Sequence, residues 1–151
     1  MKKKIAILGS TGSIGENTIK IIRKDKKNFN IVLLSTNKNI KKIFKQAEEF
    51  KVNNVIVTNF KKFCEAKLKY KAKKIKIYNC FKDIHQILDK KKIYYSMLSV
   101  SGLIGLEPAL ILCKYSKNLA IVNKESLICG WNLIEKNLKK YKTNFLPIDS
   151  E

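Results

Sequence analysis

I-A-I-L-G-S-T-G-S-I-G, residues 5–15, is the stretch on which the fold turns. Four apolar residues, Ile5, Ala6, Ile7 and Leu8, read as a short buried strand. Glycines then stand at Gly9, Gly12 and Gly15, and apolar residues continue at helical spacing over 14–22. The order strand, glycine turn, helix is the context in which a backbone wraps a pyrophosphate. Glycine allows the sharp turn and the close approach, and the helix offers free amides and the positive end of its dipole. Ser10, Thr11 and Ser13 add hydroxyl donors. The spacing is G-x-x-G-x-x-G where the commonest dinucleotide fingerprint is G-x-G-x-x-G, so the surrounding elements carry the reading more than the glycines do.

The same alternation runs through the chain. An apolar run at 31–34 is followed by Ile40, Ile43, Phe44, Ala47 and Phe50 on one helical face. A strand is expected at 55–57, a helix at 60–68 and a strand at 75–78. Phe81, Ile84, Ile87 and Leu88 mark a helix whose far face is Lys90 to Lys92, and 94–100 reads as a buried strand. A helix over 106–113 takes Pro108 in its first turn. Strand 119–122, helix 126–138 and strand 145–148 complete the series. Repeated strand–helix units predict an α/β fold, a Rossmann-like, doubly wound, mainly parallel sheet with helices on both faces. No linker or low-complexity tract divides residues 1–148.

Composition narrows the function. The chain has 151 residues, 45% of them hydrophobic, enough for one core. No apolar run approaches the roughly 20 residues of a membrane helix, and the basic start leads into a strand in preference to a signal peptide. The net charge of +20 suggests nucleic acid at first sight. Yet Arg23 is the only arginine, and the lysines are scattered through every candidate helix and loop with no cluster shaped to read bases. Cys64, Cys80, Cys113 and Cys129 form no C-x-x-C pair and are expected to be buried free thiols, as suits a cytoplasmic protein. His85 is expected at the surface or its boundary.

Cofactor choice is set after the second strand, where an NAD enzyme usually places a carboxylate on the ribose hydroxyls. Here the residues are Ser35, Thr36, Asn37, Lys38 and Asn39, with no acid among them. That lining suits the 2′-phosphate of NADPH; the alternative for Lys38 is an ordinary solvated lysine. Two further segments follow strands: Asn123-Lys124-Glu125-Ser126, read as a loop, and Pro147-Ile148-Asp149-Ser150-Glu151. Asp149 and Glu151 could share a hard cation such as Mg²⁺ or Mn²⁺, although spacing alone favours a surface acidic pair.

Taken together, G-S-T-G-S-I-G (9–15), S-G-L-I-G-L-E-P (101–108), N-K-E-S (123–126) and L-P-I-D-S-E (146–151) resemble, in order and spacing, the 1-deoxy-D-xylulose 5-phosphate reductoisomerase family along the whole chain. The resemblance implies conversion of 1-deoxy-D-xylulose 5-phosphate into 2-C-methyl-D-erythritol 4-phosphate, in the non-mevalonate isoprenoid pathway, by rearrangement and NADPH reduction. It implies cofactor contacts at Gly9, Thr11, Gly12, Ser13 and Ile14, at Asn37, Lys38 and Asn39 around the adenosine phosphate, and at Asn123 and Glu125. It implies substrate contacts at Lys124, Ser150 and Glu151, and metal ligands at Asp149 and Glu151. Asn37 stands where members of the family often carry Gly, a substitution tolerated if the backbone is left-handed. Ser99 to Ser101 are more polar than the alanine-rich stretch expected there.

Family members continue past this point into catalytic and C-terminal helical domains and form homodimers. The expected organisation is a cofactor domain at 1–148, with 149–151 opening a catalytic domain whose third acidic metal ligand lies further on. The 151 residues alone are accordingly expected to bind NADPH without turnover. A stable non-catalytic NADPH-binding module and a basic nucleic-acid-binding module remain as alternatives.

Overall fold

The apolar runs become seven strands: β1 (Lys3–Leu8), β2 (Phe29–Thr36), β3 (Asn54–Val57), β4 (Lys76–Tyr78), β5 (Ile93–Leu98), β6 (Ser116–Ile121) and β7 (Asn144–Pro147). Between them lie helices α1 (Ser13–Lys24), α2 (Ile40–Phe50), α3 (Phe60–Lys69), α4 (Ile84–Ile87), α5 (Leu106–Tyr115) and α6 (Lys124–Tyr141). The computed structural model describes residues 1–88 and 92–148.

The strands form one sheet in the order β4-β3-β2-β1-β5-β6-β7, and every adjacent pair is parallel. A parallel sheet must be covered on both faces, which is why its central strands read as unbroken apolar runs. On one face Ile5, Ile7, Leu34 and Val57 pack beneath Ile19 of α1, Phe44 of α2 and Ala66 of α3. On the other, Ala6, Leu8, Ile56 and Leu98 pack beneath Ile84 of α4, Leu112 of α5 and Ile134 of α6. The chain winds outward from β1 to β4, then returns to lay β5 on the free side of β1. Because crossovers between parallel strands are right-handed, that reversal moves the later helices to the opposite face. A bulge in β2 pairs Ile5 with Ile31 and Ala6 with Leu33, so the apolar run at 31–34 supplies both layers.

Several expectations change here. The helix drawn through Phe81 and Leu88 is a 3-10 turn (Phe81–Asp83) running into the single turn of α4, and Leu88 is already extended. Phe81, Ile84 and Leu88 are each buried under the sheet, so this segment is a short plug leading into β5. Lys92, expected on the far face of that helix, donates its Nζ to the Tyr141 carbonyl and, at 2.8 Å, to Thr143 Oγ1. It therefore caps the C-terminus of α6, where a cation complements the dipole; Lys90 lies outside the described residues. The strand expected over 94–100 ends at Leu98, freeing Ser99 and Val100 for the loop above the sheet. Only Cys113 is buried, whereas Cys64, Cys80 and Cys129 are exposed free thiols. The reason is that α3 buries little besides Ala66, and α6 buries a narrow stripe through Ser126, Gly130, Ile134 and Leu138 that misses Cys129. Among the described residues no helix is long and apolar enough to cross a membrane.

Candidate functional site

Seven parallel strands end on one edge of the sheet, and the reversal between β1 and β5 opens a crevice there. One hollow of about 350 Å³ lies between Gly12, Ser13 and Ile14 at the start of α1 and Asn123, Lys124 and Glu125 at the start of α6. A second, of about 260 Å³, runs from Gly9 and Thr11 past Thr36 and Asn37 to Thr58. Gly12, Ser99, Val100 and Ser101 line both, making a continuous groove across the switch point.

The glycine turn is packed to its limit. Gly9 has φ +79°, and a Cβ there would stand 2.4 Å from the Ser99 carbonyl oxygen; one on Gly15 would stand 2.2 Å from the Gly9 carbonyl oxygen. α1 therefore starts hard against the turn. Its N-cap is Gly12, which has no side chain to satisfy the first amides. Ser13 and Ile14 thus present N–H groups without intrahelical acceptors at the groove wall. Glu16, in the first turn, is paired with Lys42 at 2.6 Å, and the Lys42 hydrogen bond holds its carboxyl below the usual range. The acid is thereby prevented from cancelling the attraction of the helix end for an anion.

The three turn hydroxyls play different parts. Ser13 is exposed at the groove. Thr11 Oγ1 lies 2.7 Å from Thr36 Oγ1. Ser10, expected as a further donor to the ligand, is fully buried and donates to Gln46 Oε1 at 2.8 Å. Ser99 supports the turn from the other side, donating its hydroxyl to the Leu8 carbonyl at 2.8 Å and the Gly9 carbonyl at 3.2 Å. Its polarity, unexpected from the family pattern, is explained by these two bonds.

At the end of β2, Ser35 Oγ accepts the Gly9 amide at 2.9 Å. Asn37 is exposed and donates its Nδ2 to Thr58 Oγ1 at 2.9 Å, tying the loop to the end of β3. Its backbone is not left-handed; among the described residues only Lys51 and Lys142 carry a positive φ outside glycine. Lys38 is exposed, and Asn39 Oδ1 caps α2 by accepting the Lys42 amide at 3.1 Å.

Across the groove, N-K-E-S is the N-cap and first turn of α6, where a loop was expected. Asn123 is buried; its Oδ1 accepts the Ser126 amide at 2.9 Å, and its Nδ2 donates to the Val100 carbonyl at 2.6 Å and to the Gly102 carbonyl. The side-chain donors are spent on locking the 100–102 loop to α6, while Asn123 itself remains in the lining of the hollow. Lys124 and Glu125 are exposed beside it. Asp149, Ser150 and Glu151 lie outside the described residues. Ile148, the last before them, donates its amide to the Ile121 carbonyl at 3.4 Å, on the edge that carries the groove. Among the described residues no group of three or more His, Cys, Asp or Glu could hold a metal ion.

A family model described as 1-deoxy-D-xylulose 5-phosphate reductoisomerase matches residues 5–130. The 1-deoxy-D-xylulose 5-phosphate reductoisomerase of Pelagibacter ubique is 54% identical over 150 residues, covering 99% of this chain and 39% of that protein. Among solved structures, a DOX-P reductoisomerase in complex with magnesium superposes with a TM-score of 0.90 at 27% identity, over 100% of this chain and 38% of that one. Another, in complex with NADPH, fosmidomycin and magnesium, gives a TM-score of 0.87 at 26% identity, over 96% of this chain and 36% of that one. The chain thus spans about two fifths of the length of the curated relative it matches.

Proposed function

Since the chain belongs to the 1-deoxy-D-xylulose 5-phosphate reductoisomerase family, we propose that residues 1–148 are the NADPH-binding domain of an enzyme converting 1-deoxy-D-xylulose 5-phosphate into 2-C-methyl-D-erythritol 4-phosphate, and that 149–151 open its catalytic part. The observation that carries this reading is the bare helix end at Gly12, aimed into a groove at the switch point. The donor set fits the cofactor: main-chain amides and hydroxyls for a pyrophosphate, and a carboxylate-free loop with one exposed lysine for a 2′-phosphate.

In this reading the pyrophosphate lies on Thr11, Gly12, Ser13 and Ile14, beside Gly9. The adenosine 2′-phosphate lies against Asn37, Lys38 and Asn39. The nicotinamide end extends toward Glu125 and the loop that Asn123 holds. Lys124, Ser150 and Glu151 contact the substrate, with its anionic groups drawn to the Lys124 ammonium; Asp149 and Glu151 are the metal ligands. When bound, NADPH supplies the hydride and Mg²⁺ or Mn²⁺ a Lewis acid for the rearrangement. The main contribution of this chain is to orient the reductant.

Titration with each nucleotide tests the assignment. NADPH should bind more tightly than NADH, and Lys38→Ala should weaken NADPH by roughly threefold to tenfold while leaving NADH unchanged, because one exposed charge contact is lost. Equal affinities for the two nucleotides would overturn the cofactor choice.

A further inference from the structure

We propose that Gln46, a residue of α2 with no access to the groove, is the positioning residue that turns the Thr11 amide toward the cofactor; the inference rests on the NADPH reading above. Gln46 is 6% exposed and Ser10 is fully buried. The two residues meet in a closed pair of bonds. Gln46 Nε2 donates to the Ser10 carbonyl at 3.0 Å, and Gln46 Oε1 accepts the Ser10 hydroxyl at 2.8 Å. The orientation of the amide is unambiguous, because a carbonyl can only accept and so must face the NH₂ side.

The consequence lies in the next peptide bond. A trans peptide is planar, with its C=O and N–H pointing in opposite directions. Drawing the Ser10 carbonyl inward to Gln46 therefore turns the Thr11 N–H outward, to the wall of the hollow that Thr11 lines. That N–H finds no acceptor among the described residues, although its neighbours are bonded: Ser10 N to the Ser35 carbonyl of β2 and Gly12 N to the Gly9 carbonyl within the turn. Gln46 Nε2 is the donor that meets the Ser10 carbonyl in this orientation, and the flipped peptide would replace a donor facing the phosphate with a carbonyl oxygen that repels it. Gln46 belongs to the helix whose N-cap closes the Asn37–Asn39 loop, so the same helix fixes both phosphate subsites.

Titration of Gln46→Met with NADPH, NADH and adenosine 2′-monophosphate tests this. Both dinucleotides should weaken by about tenfold, the effect of one charge-assisted hydrogen bond. The monophosphate, which has no pyrophosphate, should bind as before. Lys38→Ala should show the opposite pattern, weakening NADPH and the monophosphate and sparing NADH. A folded Gln46→Met that keeps NADPH affinity within about twofold, or that loses the monophosphate in equal measure, overturns the inference. If that variant does not fold, a structure of the unaltered chain with NADPH decides: Thr11 N should lie within hydrogen-bond distance of a phosphate oxygen, and a Thr11 N–H turned away overturns the proposal. Failure of the unaltered chain to bind either dinucleotide would instead overturn the functional reading, and this inference with it.

Discussion

At Gly15 a single added methyl group would stand 2.2 Å from the Gly9 carbonyl oxygen, and it is this exclusion that lets α1 begin against the turn. Such glycines announce themselves in a sequence. Gln46 does not, because it sits among Ile43, Phe44 and Ala47 on a helix that periodicity reads as apolar on its inner face. Its one visible signal was a polar residue at the spacing of that buried stripe. Ser10 illustrates the converse, a hydroxyl in the glycine turn that points inward because Gln46 and Ser35 await it there. The thiols show how little residue type says about burial. A disulfide-forming aromatic reagent should label Cys64, Cys80 and Cys129 in the native chain and reach Cys113 only on unfolding. Burial pushes the Cys113 thiol up to about 11, so it holds no reactive thiolate under mildly alkaline conditions. Labelling of Cys113 at the rate of the others would contradict the packing of α5.

Among the elements, α1 and α2 were legible because their apolar residues recur at helical spacing, and their starts are marked by glycine and by Asn39. Helix ends were harder to read, since α2 and α6 stop without glycine. Each closes on a lysine in the left-handed region, Lys51 at φ 55° and Lys142 at φ 51°. The following amides bond back to the Ala47 carbonyl at 2.8 Å and the Leu138 carbonyl at 3.0 Å. These are Schellman-type closures in which glycine is the usual residue. Lys51→Gly and Lys142→Gly should each raise stability by roughly 0.5–1 kcal/mol, the relief of left-handed strain less the added freedom of the unfolded chain. Thermal or urea denaturation would show this; a loss of stability would mean that the lysine side chains contribute more than the backbone strain costs. At the start of α6, Asn123 holds the 100–102 loop and a helix end at once, a part that the motif N-K-E-S did not reveal.

For the whole molecule the dominant fact is charge, 32 Lys and Arg against 12 Asp and Glu. Protonating the carboxylates in acid leaves the positive charges unopposed, and repulsion then favours the expanded chain. Glu49, which joins α2 to α1, is where this begins to matter. It accepts Arg23 Nε at 2.6 Å and a second guanidinium bond at 2.7 Å, with Lys26 at 3.0 Å. These partners, Arg23 foremost, hold its carboxyl at about 2, below the ordinary 4.5. A depressed carboxyl stabilises the fold above its unfolded pKa, and that contribution is lost as the pH falls from 4.5 toward about 2. Glu49→Gln should cost less than about 1 kcal/mol at neutral pH, because the pair is partly exposed. The substitution should also flatten the decline in urea midpoint across that acid window. An unchanged acid limb would remove Glu49 from the account.

Sequence by itself determined the strand–helix alternation, the glycine turn, the missing carboxylate after β2 and the family, since each depends on residues close together in the chain or on ordered motifs. Only the tertiary structure decided the strand order, the switch point between β1 and β5, and the assignment of polar side chains to groove or interior. Those depend on contacts between distant segments, Ser10 with Gln46, Ser99 with Leu8, Lys92 with Thr143. Local spacing carries no record of which partner a buried polar atom will meet. The turn at residues 9–15 was visible from the start; what holds it against the groove became visible only when α2 and β5 were packed around it.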